Sequence, residues 1–108
     1  MNEVVTSYEY LVHCGAFGDR IEVIKYLMLR LINEKSTGIG AWDVQARLQD
    51  MGIQLSTATA GRYLKELDTD GYTNKISNKG RVLTENGTER LEALSMAVTS
   101  SILHKKID

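Results

Sequence analysis

The sequence predicts a mainly α-helical α+β domain in which one small β-hairpin sits between two helices near the C-terminal end. Three observations carry this. Apolar residues recur at helical spacing in several segments, most clearly at Ile21, Ile24, Leu27, Met28, Leu31 and Ile32. Ser56 and Gly71 bracket an amphipathic stretch with a capping residue at its start and a stop at its end. Tyr72 to Ile76 and Arg81 to Leu83 then flank Ser77-Asn78-Lys79-Gly80, a run rich in turn formers.

Each element follows from local chemistry. Val4, Val5, Tyr8, Leu11 and Val12 give Asn2 to Cys14 the spacing of a short amphipathic helix, ended by Gly15 and Gly18. Asp19 can cap the second helix, with Glu22 completing a variant capping box. Ser36-Thr37-Gly38 closes that helix, and Ile39, between two glycines, suits a strand of one or two residues. Ala41 to about Asp50 forms a third helix with Trp42, Val44, Ala46 and Leu48 as its apolar positions; Gly52 supplies its stop. Ser56 caps the next helix, whose Ala60, Tyr63, Leu64 and Leu67 face inward. Thr84 caps the last, from Glu85 to about His104, with Leu91, Leu94, Val98 and Ile102 apolar, joined by Met96 and Leu103. The order helix, helix, short strand, helix, helix, hairpin, helix is that of a winged helix-turn-helix with added terminal helices. The expected organisation is a helical extension over 1–18, the winged-helix unit over 19–85 and a C-terminal helix over 86–108.

Composition bounds the function. At 108 residues, with 43% hydrophobic and 25% charged residues and no proline, the chain has the size of one globular domain. A single cysteine, Cys14, forms no internal disulfide, which fits a reducing cytoplasm. The polar start MNEVVTSYEY lacks the pattern of a secretion signal. The net charge of −1 argues against a strongly basic nucleic-acid binder, but its distribution is uneven. Ser56 to Thr84 carries Arg62, Lys65, Lys75, Lys79 and Arg81 against Glu66, Asp68 and Asp70, whereas Met1 to Asp19 carries Glu3, Glu9 and Asp19 with no lysine or arginine.

The helix after Ser56 has the makings of a DNA-reading element. A helix enters the major groove with its first turns nearest the bases, so small side chains belong there. Thr57, Ala58 and Gly61 meet that need beside the cap Ser56. Glycine within a helix costs about 1 kcal/mol relative to alanine, so Gly61 implies a close approach, either of DNA or of the preceding helix. Arg62 suits a guanine or a phosphate, and Lys65 a phosphate. In the hairpin, Asn78, Lys79 and Arg81 can reach backbone or minor groove.

The run LSTATAGRYLKELDTDGYTNKISNKGRVLTENG resembles the winged-helix domain at the front of archaeal nitrogen-regulation repressors, also called the ribonuclease R-type winged-helix domain. Leu55-Ser56, Arg62-Tyr63-Leu64-Lys65, Leu67-Asp68, Gly71, Gly80-Arg81-Val82-Leu83-Thr84-Glu85 and Gly87 carry the resemblance, which extends over about Arg20 to Leu94. It implies a DNA-binding fold with the helix after Ser56 as recognition helix and Ser77 to Arg81 as wing. No large effector domain follows within this sequence.

Other patterns lead elsewhere. Asp68-Thr69-Asp70-Gly71 resembles part of a calcium loop, but Ser77 occupies the position that needs a bidentate glutamate. Asn86-Gly87-Thr88 matches a glycosylation sequon yet reads as a helix start. His13, Cys14 and His104 lack the spacing of a metal site, and no catalytic set or cofactor motif emerges. The expectation is a sequence-specific DNA-binding transcriptional regulator in the cytoplasm. It is not an enzyme and uses no cofactor or metal. Its partners are double-stranded DNA and a second copy, paired through the apolar positions of the terminal helices. The alternatives are a winged-helix protein-interaction module and an RNA-binding winged helix.

Overall fold

A computed structural model describes residues 8–76 and 80–107. Among them are five helices and one hairpin: α1 (Tyr8–His13), α2 (Arg20–Glu34), α3 (Ala41–Asp50), α4 (Thr57–Thr69), β1 (Thr73–Ile76), β2 (Gly80–Leu83) and α5 (Glu85–Ile107). The part of the expected first helix before Tyr8 lies outside the described residues, as do the side chains of Leu103 and His104.

The caps form as their chemistry requires. Asp19 accepts from the Glu22 amide at 2.9 Å, and the Glu22 carboxylate accepts from the Gly18 amide at 3.1 Å. Ser56 Oγ accepts from the Thr59 amide at 3.0 Å. Thr84 Oγ1 accepts from the Gly87 amide at 2.9 Å and donates to the Gly71 carbonyl at 2.6 Å, so one hydroxyl starts α5 and ties it to the end of α4.

α2 is the centre of the core. It packs against α1, α3, α4, α5 and β2, and Val23, Ile24, Tyr26, Leu27, Met28, Leu29, Leu31 and Ile32 are all buried. The sequence predicts a single apolar stripe on this helix. The structure covers more of it, because α1 and α5 close over the side bearing Tyr26 and Leu29. Ile21, counted in the stripe, is 42% exposed in the first turn. The Tyr26 hydroxyl meets Ser95 Oγ of α5 at 3.3 Å, and the Phe17 and Tyr26 rings lie 5.1 Å apart.

The terminal helices therefore complete this chain's own core. Leu11, Leu91 and Val98 are buried in it, and Tyr8, Val12, Leu94 and Ile102 pack against its edge. Cys14 is buried, and its carbonyl accepts a hydrogen bond from Ser101 Oγ. Among the described residues, the apolar positions of α1 and α5 that suggested pairing with a second copy pack within the chain, except Met96, which is 70% exposed.

The hairpin is antiparallel, with Thr73 opposite Leu83 and Lys75 opposite Arg81. Ile39 adds a one-residue third strand through two backbone bonds with Arg81, of 2.9 and 3.1 Å. This contact explains Gly80, whose missing Cβ would stand 2.1 Å from the Ile39 carbonyl oxygen, at φ +92°. Gly87 has a similar role, since a Cβ there would stand 1.9 Å from the Tyr72 carbonyl oxygen.

Candidate nucleic-acid interface

The outward face of α4 is assembled from the helix's own periodicity. Ala60, Tyr63, Leu64 and Leu67 bury the inner face, which leaves Thr57, Ala58, Arg62 and Lys65 exposed and Gly61 half-buried on the outer one. Its first turns are small and its second half is basic. Ser56 stands at the start, with its hydroxyl engaged in the cap.

Two causes for Gly61 are open in the sequence, and the structure decides against one of them. A Cβ built at Gly61 meets nothing within 4 Å, so α3 does not require the glycine. Replacing it with alanine is expected to raise stability by up to about 1 kcal/mol, read as a higher thermal midpoint. A lowered midpoint contradicts the open geometry.

Arg62 and Lys65 differ in their surroundings. The Arg62 side chain is 64% exposed and lies 3.9 Å from the Glu66 carboxylate, too far for a tight pair. Glu66 is drawn instead to Lys25 of α2 at 2.5 Å. That hydrogen bond, with the charges of Lys25 and Arg62, holds the Glu66 carboxyl below its usual range. Lys65 is exposed and makes no ion pair among the described residues.

Arg81 is placed differently from the sequence expectation. It is not held out at the wing but is 8% exposed, with its guanidinium turned onto Asp68 of α4. Arg81 Nε donates to both Asp68 oxygens at 3.0 and 3.1 Å, and Nη2 donates to Oδ2 at 2.9 Å. Thr73 Oγ1 donates to the same carboxylate at 2.5 Å. The physical reason lies in the register. Thr73, Lys75, Arg81 and Leu83 share one face of the hairpin, and that face lies over the end of α4. The pair locks hairpin to helix and occupies the Nε–Nη2 edge of the guanidinium, so that edge is not offered to a phosphate. It also accounts for Asp68, which is a carboxylate of this clamp rather than of a calcium loop.

Burial acts to raise the Asp68 carboxyl. The hydrogen bonds from Arg81 and Thr73, then the charges of Arg81 and Lys75, more than offset it, so the group ionises below its ordinary value of 3.8. A carboxyl lowered in the folded state stabilises it fully above the unfolded value. That contribution is lost as the pH falls through the folded one. Chemical denaturation at stepped pH is expected to show an acid loss of stability below about pH 4 that is reduced in Asp68→Asn. An unchanged acid slope in that variant contradicts the assignment.

Asn78 and Lys79 lie outside the described residues. Lys75, exposed on β1, is a cation of the described part of the hairpin that the sequence reading did not single out. Gln45 of α3 was also passed over: its amide nitrogen donates to the Leu55 carbonyl at 2.9 Å, and its oxygen accepts from Thr57 Oγ1 at 3.3 Å. It fixes the turn between α3 and α4, and only its helical position hints at this. Asp68 carried a clearer signal, since an acidic side chain in the last turn of a helix opposes the helix dipole and calls for a cation.

Among the described residues, no three His, Cys, Asp or Glu side chains cluster as metal ligands, and no helix is long and apolar enough to cross a membrane.

The model of the ribonuclease R winged-helix domain matches residues 26–91, from the core of α2 to the second turn of α5. The chain is 31% identical over 70 residues to the global nitrogen regulator NrpR of Methanococcus maripaludis, covering 65% of this chain and 13% of that protein. It is 29% identical over 85 residues to NrpR of Methanocaldococcus jannaschii, covering 74% of this chain and 16% of that protein. The chain thus spans under a fifth of the length of these relatives. No solved structure gives a significant match. The match over more than half of the sequence, on a fold of helices and one antiparallel hairpin, establishes that the chain belongs to the ribonuclease R winged-helix domain family.

Proposed function

We propose that this chain is a sequence-specific DNA-binding module of a transcriptional regulator, with α4 in the major groove and the hairpin against backbone or minor groove. One observation carries the reading: α4 presents a face that is small at Thr57, Ala58 and Gly61 and basic at Arg62 and Lys65, and Gly61 has no internal packing to explain it. The names of the two relatives, both nitrogen regulators, support the regulatory setting. A cytoplasmic site of action accompanies it, and no catalytic step is assigned to the chain.

Within the interface, Arg62 reads a base or holds a phosphate, and Lys65, Lys75 and Lys79 act on phosphates. Arg62→Ala is expected to cost about 1–3 kcal/mol of affinity and relax preference at one base pair if it reads guanine. Gly61→Ala is expected to weaken binding while the fold gains stability, a combination that damage to the fold cannot produce. The test is selection from a pool of random-sequence duplexes at low and physiological salt. Enrichment of a motif supports the reading; absence of binding even at low salt overturns it.

The net charge of −1 favours a second reading, a protein-interaction module. Phosphate binding weakens steeply with salt and an apolar protein interface does not, so the salt slope separates the two. Competition with duplex RNA separates an RNA-binding role. Pairing with a second copy is a further proposal, supported on α5 by the exposed Met96; a sedimentation mass of one chain at micromolar concentration rejects it.

A further inference from the structure

The largest exposed apolar side chain of the described residues has no part in the core. Trp42, in the first turn of α3, is 79% exposed. The sequence pattern counts it among the apolar positions of α3, but the buried positions are Val44 and Leu48 on the other side of the helix. At about 100° per residue, Trp42, Gln45, Ala46 and Gln49 fall within one arc of about 100°. Asp43, Arg47 and Asp50 fall outside it.

This arc adjoins the reading face of α4. Gln45, at its edge, holds Thr57 Oγ1 and the Leu55 carbonyl, so it touches the first residue of α4 directly. Gln45 and Gln49 continue with Gln54 and Leu55 into a shallow groove of about 180 Å³. The surface is therefore uncharged, rich in amide groups and led by an aromatic ring. Amide and indole N–H groups suit phosphate oxygens, and no carboxylate stands on the arc to repel them.

We propose that the α3 face of Trp42, Gln45 and Gln49 is a second DNA-contacting surface. The Trp42 indole lies along the sugar–phosphate backbone at the edge of the groove that α4 enters. This rests on the DNA reading above and extends it to a helix that carries no basic side chain on the contacting arc. The contact contributes affinity without counterion release, so its loss leaves the salt dependence unchanged.

Trp42 is the one tryptophan of the chain, so its emission reports on this surface alone. The experiment titrates the intact chain with the duplex enriched from the random pool, or with the pool itself at low salt. Binding is followed by anisotropy of a labelled duplex, and Trp42 emission and its quenching by acrylamide are followed with unlabelled duplex. The expected result is a saturable change in emission and protection from acrylamide, both tracking the anisotropy. Trp42→Ala is expected to weaken binding roughly fivefold to tenfold, which is about 1 to 1.4 kcal/mol, at an unaltered salt slope and thermal midpoint. Binding by anisotropy with unchanged emission, or full affinity in Trp42→Ala, overturns this proposal and leaves the α4 reading standing. No binding by anisotropy overturns both.

Discussion

Gly80→Ala and Gly87→Ala are each expected to lose about 3 kcal/mol of stability or more, a fall of roughly 10–20 °C in the thermal midpoint for a domain of this size. The missing Cβ atoms at these sites would stand 2.1 Å from the Ile39 carbonyl oxygen and 1.9 Å from the Tyr72 carbonyl oxygen. Neither obstacle is a side chain that can rotate away. The Ile39 carbonyl is held by the Arg81 amide, and the Tyr72 carbonyl accepts from the Thr84 amide at 3.0 Å. Gly80 adds a backbone at φ +92°, strained for alanine even without the contact. Gly87 lies in a helix, where alanine is ordinarily the better residue by about 1 kcal/mol, so a large loss there isolates the steric term. Thermal unfolding measures both. A Gly87→Ala chain as stable as the parent contradicts the packing of α5 on the start of β1.

Arg81→Ala is expected to weaken both the fold and DNA binding without changing the salt slope. Its removal leaves the Asp68 carboxylate half-enclosed with Thr73 as its remaining partner. Loss of one partner from a fully buried pair costs about 3–5 kcal/mol. The Asp68 side chain here is 28% exposed, and solvent reduces the cost to about 2 kcal/mol. The hairpin then loses its side-chain tie to α4, and binding falls because the wing is no longer positioned. A residue that neutralises a phosphate lowers the slope of log K against log salt by about 0.9 when removed. Lys65→Ala and Lys79→Ala are expected to do so and Arg81→Ala is not. A lowered slope in Arg81→Ala means that the guanidinium reaches a phosphate and contradicts a purely positioning role.

The order of elements was legible because it rests on local chemistry. The caps at Asp19, Ser56 and Thr84, the stops after Glu34, Asp50 and Thr69, and the inward set Ala60, Tyr63, Leu64 and Leu67 all depend on residues within one or two turns. Contacts between distant segments were not legible in that way. Nothing near Tyr26 or Leu29 announces that α5 will cover them, so a helix buried on several sides looked like one with a single stripe. For the same reason, the packing of the α1 and α5 apolar positions Leu11, Leu91 and Val98 onto this chain's own core was not legible. The same limit put Trp42 inside and Arg81 outside, because hydrophobicity and charge are poor guides at single positions when a neighbouring element decides the surroundings. Asp68 could have corrected the second of these, since its place in the last turn of α4 called for a cation.

The central claim is that the outer face of α4 meets DNA. Titration of isotopically labelled chain with the enriched duplex, followed by backbone amide NMR shifts, tests it most directly. The predicted result is that the largest shifts fall on Thr57 to Lys65. Shifts confined to α1, α5 and the outer edge of α2, with the α4 amides unmoved, would contradict it.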